Sequence, residues 1–151
     1  MEKREKLIAK IMAQYDTDDR PEVLPVVGID EFFDGNEDQY SIAPNIVGYG
    51  HPGLLEFRRV LNDIRSKPNV QDVLIAIHET PYADDPEDAE IWPDSDTVYV
   101  LTSATPEELA SWASPLKFNE VGEDWSCRTG IKPSAAPNLE SGMRVLTLWW
   151  D

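Results

Sequence analysis

The side chains that could do acid–base, nucleophilic or metal chemistry here are two histidines, one cysteine and a surplus of carboxylates. His51 sits in the run Gly48-Tyr49-Gly50-His51-Pro52-Gly53, and His78 precedes Glu79 at the end of an apolar run. Neither has the HxxxH spacing that puts two imidazoles on one metal ion. Cys127 lies beside Arg128, whose charge would favour the thiolate. No histidine is near it in sequence to act as its base. The loop Asp34-Gly35-Asn36-Glu37-Asp38 offers oxygens suited to calcium but lacks the alternating spacing of an EF-hand. The glycine-rich turn fits neither GxGxxG nor the Walker pattern, and Pro52 suits a first helical position instead. Carboxylates are too numerous to single out a glycosidase-like pair. No catalytic residue, metal ligand or cofactor is therefore expected, and the sequence leans away from an enzyme.

The charge map says more. The 151 residues carry 29 acidic and 13 basic side chains, a formal net charge of -16. From Pro21 to Phe57 there is no Lys or Arg among seven acids, and from Pro68 to Leu116 none among eleven. The cations gather in the first 20 residues, around Arg58–Lys67, and in 117–144. Polyanionic partners, nucleic acid and anionic membrane, are disfavoured by like charge. A basic protein is the partner that this distribution attracts, as an inhibitor or immunity-type protein would attract a toxin or nuclease. The expected contact residues are Asp34, Glu37 and Asp38 in one loop, and Asp84, Asp85, Glu87, Asp88, Glu90 and Trp92 in the other.

The elements that must hold these loops are legible. Thr97 to Leu101 is β-branched, aromatic or aliphatic, as suits a strand. Thr105, Pro106 and Glu108 then form a capping box with proline at the first helical position. Leu109, Trp112 and Ala113 give that helix its apolar stripe. Residues 1–16 read as an amphipathic helix through Leu7, Ile8, Ile11, Met12 and Tyr15. Leu54, Phe57, Val60, Leu61 and Ile64 mark a further helix ending near Ser66. Strands are expected over Val23–Ile29, Val70–Glu79 and Met143–Trp150, with a solvated acidic hairpin loop over Glu79–Asp96. Residues 116–142 read as a long irregular loop, pinned by Phe118, Val121 and Trp125.

After the first helix, this order is strand, helix, strand, strand, helix, strand. It predicts an α+β chain of the ferredoxin-like, split βαβ type (βαββαβ), with a four-stranded antiparallel sheet and both helices on one face. One domain is expected over 1–151, with the helix 1–16 leading into a core over 22–151. The other sheet face would carry Leu74, Ala76, His78, Tyr99, Leu101 and one of the terminal tryptophans. Such a face is too apolar to stand bare. The N-terminal helix, the 116–142 loop or a second copy in a homodimer could cover it. Left open, it offers a pocket lined by His78, Tyr99, Leu101 and Trp149, the basis of an alternative small-ligand or enzymatic reading. No apolar run approaches the ~20 residues that span a bilayer, and a lone cysteine suits a reducing, cytoplasmic setting.

Four motifs carry a resemblance: Asp30-Glu31-Phe32-Phe33-Asp34-Gly35-Asn36, His51-Pro52-Gly53-Leu54, Ser95 to Ser103 with Thr105-Pro106-Glu107-Glu108, and Trp149-Trp150-Asp151. Together they resemble a family of small uncharacterised bacterial proteins, over roughly Val23 to Asp151. The resemblance implies a bacterial, single-domain protein and brings no activity, cofactor or catalytic residue.

Overall fold

The computed structural model describes residues 2–20, 22–125 and 130–151. Its centre is strand β3 (Thr97–Thr102), whose six residues are all buried. A strand apolar on both faces needs a neighbour on each edge and cover above and below. β2 (Val70–Ala76) and β5 (Arg144–Trp149) pair with it on either side, both antiparallel. β1 (Val26–Val27) flanks β2, and β4 (Glu120–Glu123) flanks β5, giving the order β1-β2-β3-β5-β4.

The fold is thus α+β with an open antiparallel sheet, but among the described residues the sheet has five strands where four were expected. The fifth, β4, falls inside the stretch read as an irregular loop. Its sequence, Glu-Val-Gly-Glu, has neither alternation nor β-branched density. Its pairing with β5 holds it. The split βαβ arrangement does not appear in the strand order. A split βαβ places another strand between the two that a helix connects. Here β1 and β2 are direct antiparallel neighbours.

The helices follow local rules. α4 (Pro106–Ala113) starts on the expected reciprocal cap: Glu108 N–H donates to Thr105 Oγ1 at 3.1 Å, and Thr105 N–H donates to Glu108 Oε1 at 3.1 Å. α1 (Lys3–Thr17) and α3 (Leu54–Arg65) match their apolar spacing. α2 (Ile29–Phe33) is a short helix that was not expected; it begins at Ile29, the last residue of the expected strand Val23–Ile29. Its first turn is held by Glu31 Oε1, which accepts from Gly28 N–H at 2.9 Å.

Among the described residues, the four helices pack on one face of the sheet. Val73, Ile75, Val98, Val100, Leu146 and Leu148 meet Leu7 and Ile11 of α1, Phe32 and Phe33 of α2, Phe57, Leu61 and Ile64 of α3, and Leu109 of α4. Each such side chain contributes about 1.5–3 kcal/mol on burial. The second face carries Leu74, Ala76, Tyr99, Leu101 and Val145. Of the three expected covers, the 116–142 stretch takes the place, laying Trp125 and Ala136 over this face. The Trp125 ring stands edge-on to Tyr99 at 5.0 Å, and Thr147 Oγ1 donates to Asp124 O at 2.7 Å beside it.

Candidate interaction site between two acidic loops

The 30s loop and the 79–96 loop come together. Ser95 N–H donates to Ser41 O, and Ala43 N–H to Ser95 O, both at 2.8 Å. Trp92 N–H donates to Asp38 Oδ2 at 3.0 Å. Between the loops and the start of α1 lies an open cleft of about 1050 Å³. Its lining includes Glu37, Asp38, Tyr40, Glu90, Ile91 and Trp92, together with Lys3, Arg4 and Lys6 of α1. α1 approaches closely: a Cβ at Gly35, where φ is +79°, would sit 3.3 Å from the Lys3 side chain.

Arg4 shapes one wall of the cleft. Only 7% exposed, it points its guanidinium into the 82–91 loop. Nε donates to Ile91 O at 2.8 Å, Nη1 to Ala83 O at 3.3 Å, and Nη2 to Asp88 O at 2.6 Å and Tyr82 O at 3.5 Å. The loop turns these carbonyls inward. A short 3-10 turn, Pro86–Asp88, is capped by Asp85, whose Oδ1 accepts from Glu87 N–H at 2.9 Å.

The acidic residues divide into two groups. Most aspartates hold the loops. Asp34 is paired to Lys3 at 2.8 Å, and that ammonium holds its carboxyl below the usual range. Asp38 accepts from Tyr40 N–H at 3.0 Å as well as from Trp92. Asp88 Oδ2 accepts from Tyr82 N–H at 3.2 Å, and Asp94 Oδ1 from Glu79 N–H at 3.2 Å. Such short carboxylates fold their own backbone as turn residues do. The side-chain carboxylates of Glu37, Asp84, Glu87 and Glu90 are exposed and make no hydrogen bond or ion pair among the described residues. Beside them Tyr40, Tyr82 and Ile91 are also exposed, while Trp92 is buried.

Of the nine contact residues expected from sequence, Glu37, Asp38, Glu90 and Trp92 line the cleft itself. Asp84, Asp85, Glu87 and Asp88 belong to the loop that walls it, and Asp34 adjoins Gly35. Sequence reasoning missed Lys3, Arg4 and Lys6. Their signal was the cation cluster in the first 20 residues, set against two long stretches without one.

The residues of the sheet-face pocket do not line this cleft. Tyr99 and Leu101 are buried, packed in the cluster that Trp125 and Ala136 complete. Trp149 is half-buried in β5, opposite Thr97 and Glu120. His78 is exposed, with Nδ1 3.7 Å from Asp94 Oδ1. His51 is structural: Nε2 lies 2.7 Å from Ile42 O and Nδ1 accepts from Gly53 N–H at 2.9 Å. Its ring packs 5.1 Å from Phe57. Cys127 and Arg128 lie outside the described residues. Among the described residues no group of three or more His, Cys, Asp or Glu could hold a metal ion. No helix there is long and apolar enough to cross a membrane.

Residues 2–148 match the model of a family described as the uncharacterized protein YfbO family. The chain is similar to "Uncharacterized protein YfbO" of Escherichia coli (strain K12). The two are 34% identical over 128 residues, spanning 84% of this chain and 83% of that relative. No solved structure matches the chain.

Proposed function

The chain belongs to the uncharacterised YfbO family, whose name assigns no activity, and we propose that it is a non-enzymatic interaction module that receives a basic protein in the cleft between its acidic loops. The immunity- or inhibitor-type mode, in which a small acidic protein masks a basic partner, fits this reading. The observation that carries it is the set of carboxylates on Glu37, Asp84, Glu87 and Glu90, exposed and without partners among the described residues. Structural carboxylates are spoken for; these four are open to an incoming cation. They sit beside exposed Tyr40, Tyr82 and Ile91. Such a surface adds apolar and cation–π contact to charge attraction. Clustered like charge also speeds encounter with a basic surface, and salt screens that effect over about 8–10 Å.

The test compares two triple variants with equal loss of charge. Glu37→Gln/Glu87→Gln/Glu90→Gln alters the cleft; Glu107→Gln/Glu120→Gln/Glu123→Gln alters α4 and β4. The wild-type chain, used as bait at low salt, is expected to retain a basic protein that the cleft variant loses and the control variant keeps. Equal retention by both variants, or equal loss, would overturn the reading.

A further inference from the structure

We infer that Arg4 is the positioning residue of the cleft: it gathers the backbone carbonyls of the 82–91 loop inward, so that the loop is a preformed wall presenting its free carboxylates to the partner. The inference rests on the proposed interaction and names the residue that organises its surface.

The geometry is specific. A guanidinium has five N–H donors in a rigid fork. Arg4 directs that fork at carbonyl oxygens of Tyr82, Ala83, Asp88 and Ile91. None of these acceptors is a carboxylate, although the loop from Glu79 to Asp96 contains eight. A buried cation in so acidic a loop would ordinarily draw a carboxylate toward it. Here the carbonyl dipoles satisfy the guanidinium, and Glu87 and Glu90 are left in solvent. The other bonds within the loop are local: Asp88 Oδ2 accepts from Tyr82 N–H and Asp85 Oδ1 from Glu87 N–H. Its own backbone bonds are short-range, Asp88 N–H to Asp85 O and Ile91 N–H to Asp88 O. Its side chains Tyr82 and Ile91 are exposed, so burial does not order it. Without Arg4, a run of like charges without apolar burial would lose its shape. Ordering such a wall in advance removes an entropic cost from binding.

The experiment uses the full chain as wild type, Arg4→Lys and Arg4→Ala. Two readouts are taken: amide hydrogen exchange, and retention of a labelled oligo-arginine peptide at low salt. Lysine keeps the charge but not the fork. Exchange at Tyr82, Glu87, Asp88 and Ile91 is expected to quicken about tenfold or more in both variants, as loss of charge-assisted hydrogen bonds implies. Amides of β3 should keep their protection. Peptide affinity should fall in Arg4→Lys even though net charge is unchanged. Added guanidinium ion, but not sodium at the same ionic strength, should restore loop protection in Arg4→Ala. Unchanged loop exchange, or peptide affinity in Arg4→Lys equal to wild type, overturns the inference. So does quickened exchange that spreads to β3, since Arg4 is then a general stabiliser. Failure of the interaction itself looks different: the wild-type chain would not hold the peptide at all.

Discussion

The side-chain amide of Gln14 bonds both backbone groups of Val26. Nε2 donates to Val26 O at 2.9 Å, and Val26 N–H donates to Gln14 Oε1 at 2.9 Å. Val26 lies in β1, the outermost strand on its side of the sheet, and pairs with Ala76 of β2. Gln14 thus stands where another strand would pair, and α1 closes an edge that would otherwise invite foreign strands. Gln14→Ala should cost about 1–3 kcal/mol, the usual result of leaving backbone groups unpaired. Gln14→Glu should cost at least as much, because a carboxylate oxygen would then face the Val26 carbonyl. Urea unfolding checks this, and an unchanged midpoint in both variants would show that the contact adds nothing.

Trp125 is the main weight on the second sheet face, 6% exposed and edge-on to Tyr99. Trp125→Ala should lose about 3–5 kcal/mol, as large-to-small core changes do. It should also bind a dye specific for exposed apolar surface, since Tyr99 and Leu101 lose their cover. Trp125→Phe should be milder on both counts. A variant with wild-type stability and no dye binding would mean that other parts of the 116–142 stretch suffice.

His51 joins Ile42 to the start of α3 through both ring nitrogens. His51→Ala should lower stability by about 1–3 kcal/mol by orphaning Gly53 N–H and Ile42 O. It should leave retention of a basic partner unaltered once the chain is folded. A specific loss of binding at full stability would assign the ring a role beyond packing.

Two aspartates should give opposite pH responses. Burial raises the Asp94 carboxyl above its ordinary range. Its folded state therefore favours the proton, a contribution present at low pH and lost as pH rises through the raised value. Asp94→Asn should stabilise the chain at neutral pH and change little near pH 3. The Arg20 guanidinium, with Ser134 Oγ donating at 2.9 Å, holds Asp18 far below the ordinary range against the opposing pull of burial. That contribution is present at neutral pH and is lost as pH falls below the ordinary carboxylate value. Asp18→Asn should therefore destabilise at neutral pH, with the deficit closing in acid. Thermal unfolding at both pH values reads the two signs, and matching signs would refute the pair.

What was legible in the sequence was local. The capping box of Thr105 and Glu108, the stripe of α3 and the alternation of β2 and β3 each depend on near neighbours, and each appears in the structure. Strand order is a matter of distant pairing, and no local pattern distinguishes β1 beside β2 from β1 elsewhere. β4 was missed because its stability comes from β5 and not from its own residues. α2 was missed because Ile29, Phe32 and Phe33 suit a strand as well as a helix over so short a span. The acidic surplus was legible in composition, but not the division of labour within it. Nothing local tells Asp38, which folds its loop, from Glu37, which does not. Arg4 was hidden by an 87-residue separation from Ile91.

That division has an evolutionary consequence. Because the carboxylates of Asp38, Asp85 and Asp88 carry turn bonds and those of Glu37, Glu87 and Glu90 carry none among the described residues, the proposed interaction assigns scaffold and contact to different residues. On that proposal, descendants of this chain could exchange the glutamates for other side chains, and so follow a changing partner, while the loops that display them stay as they are.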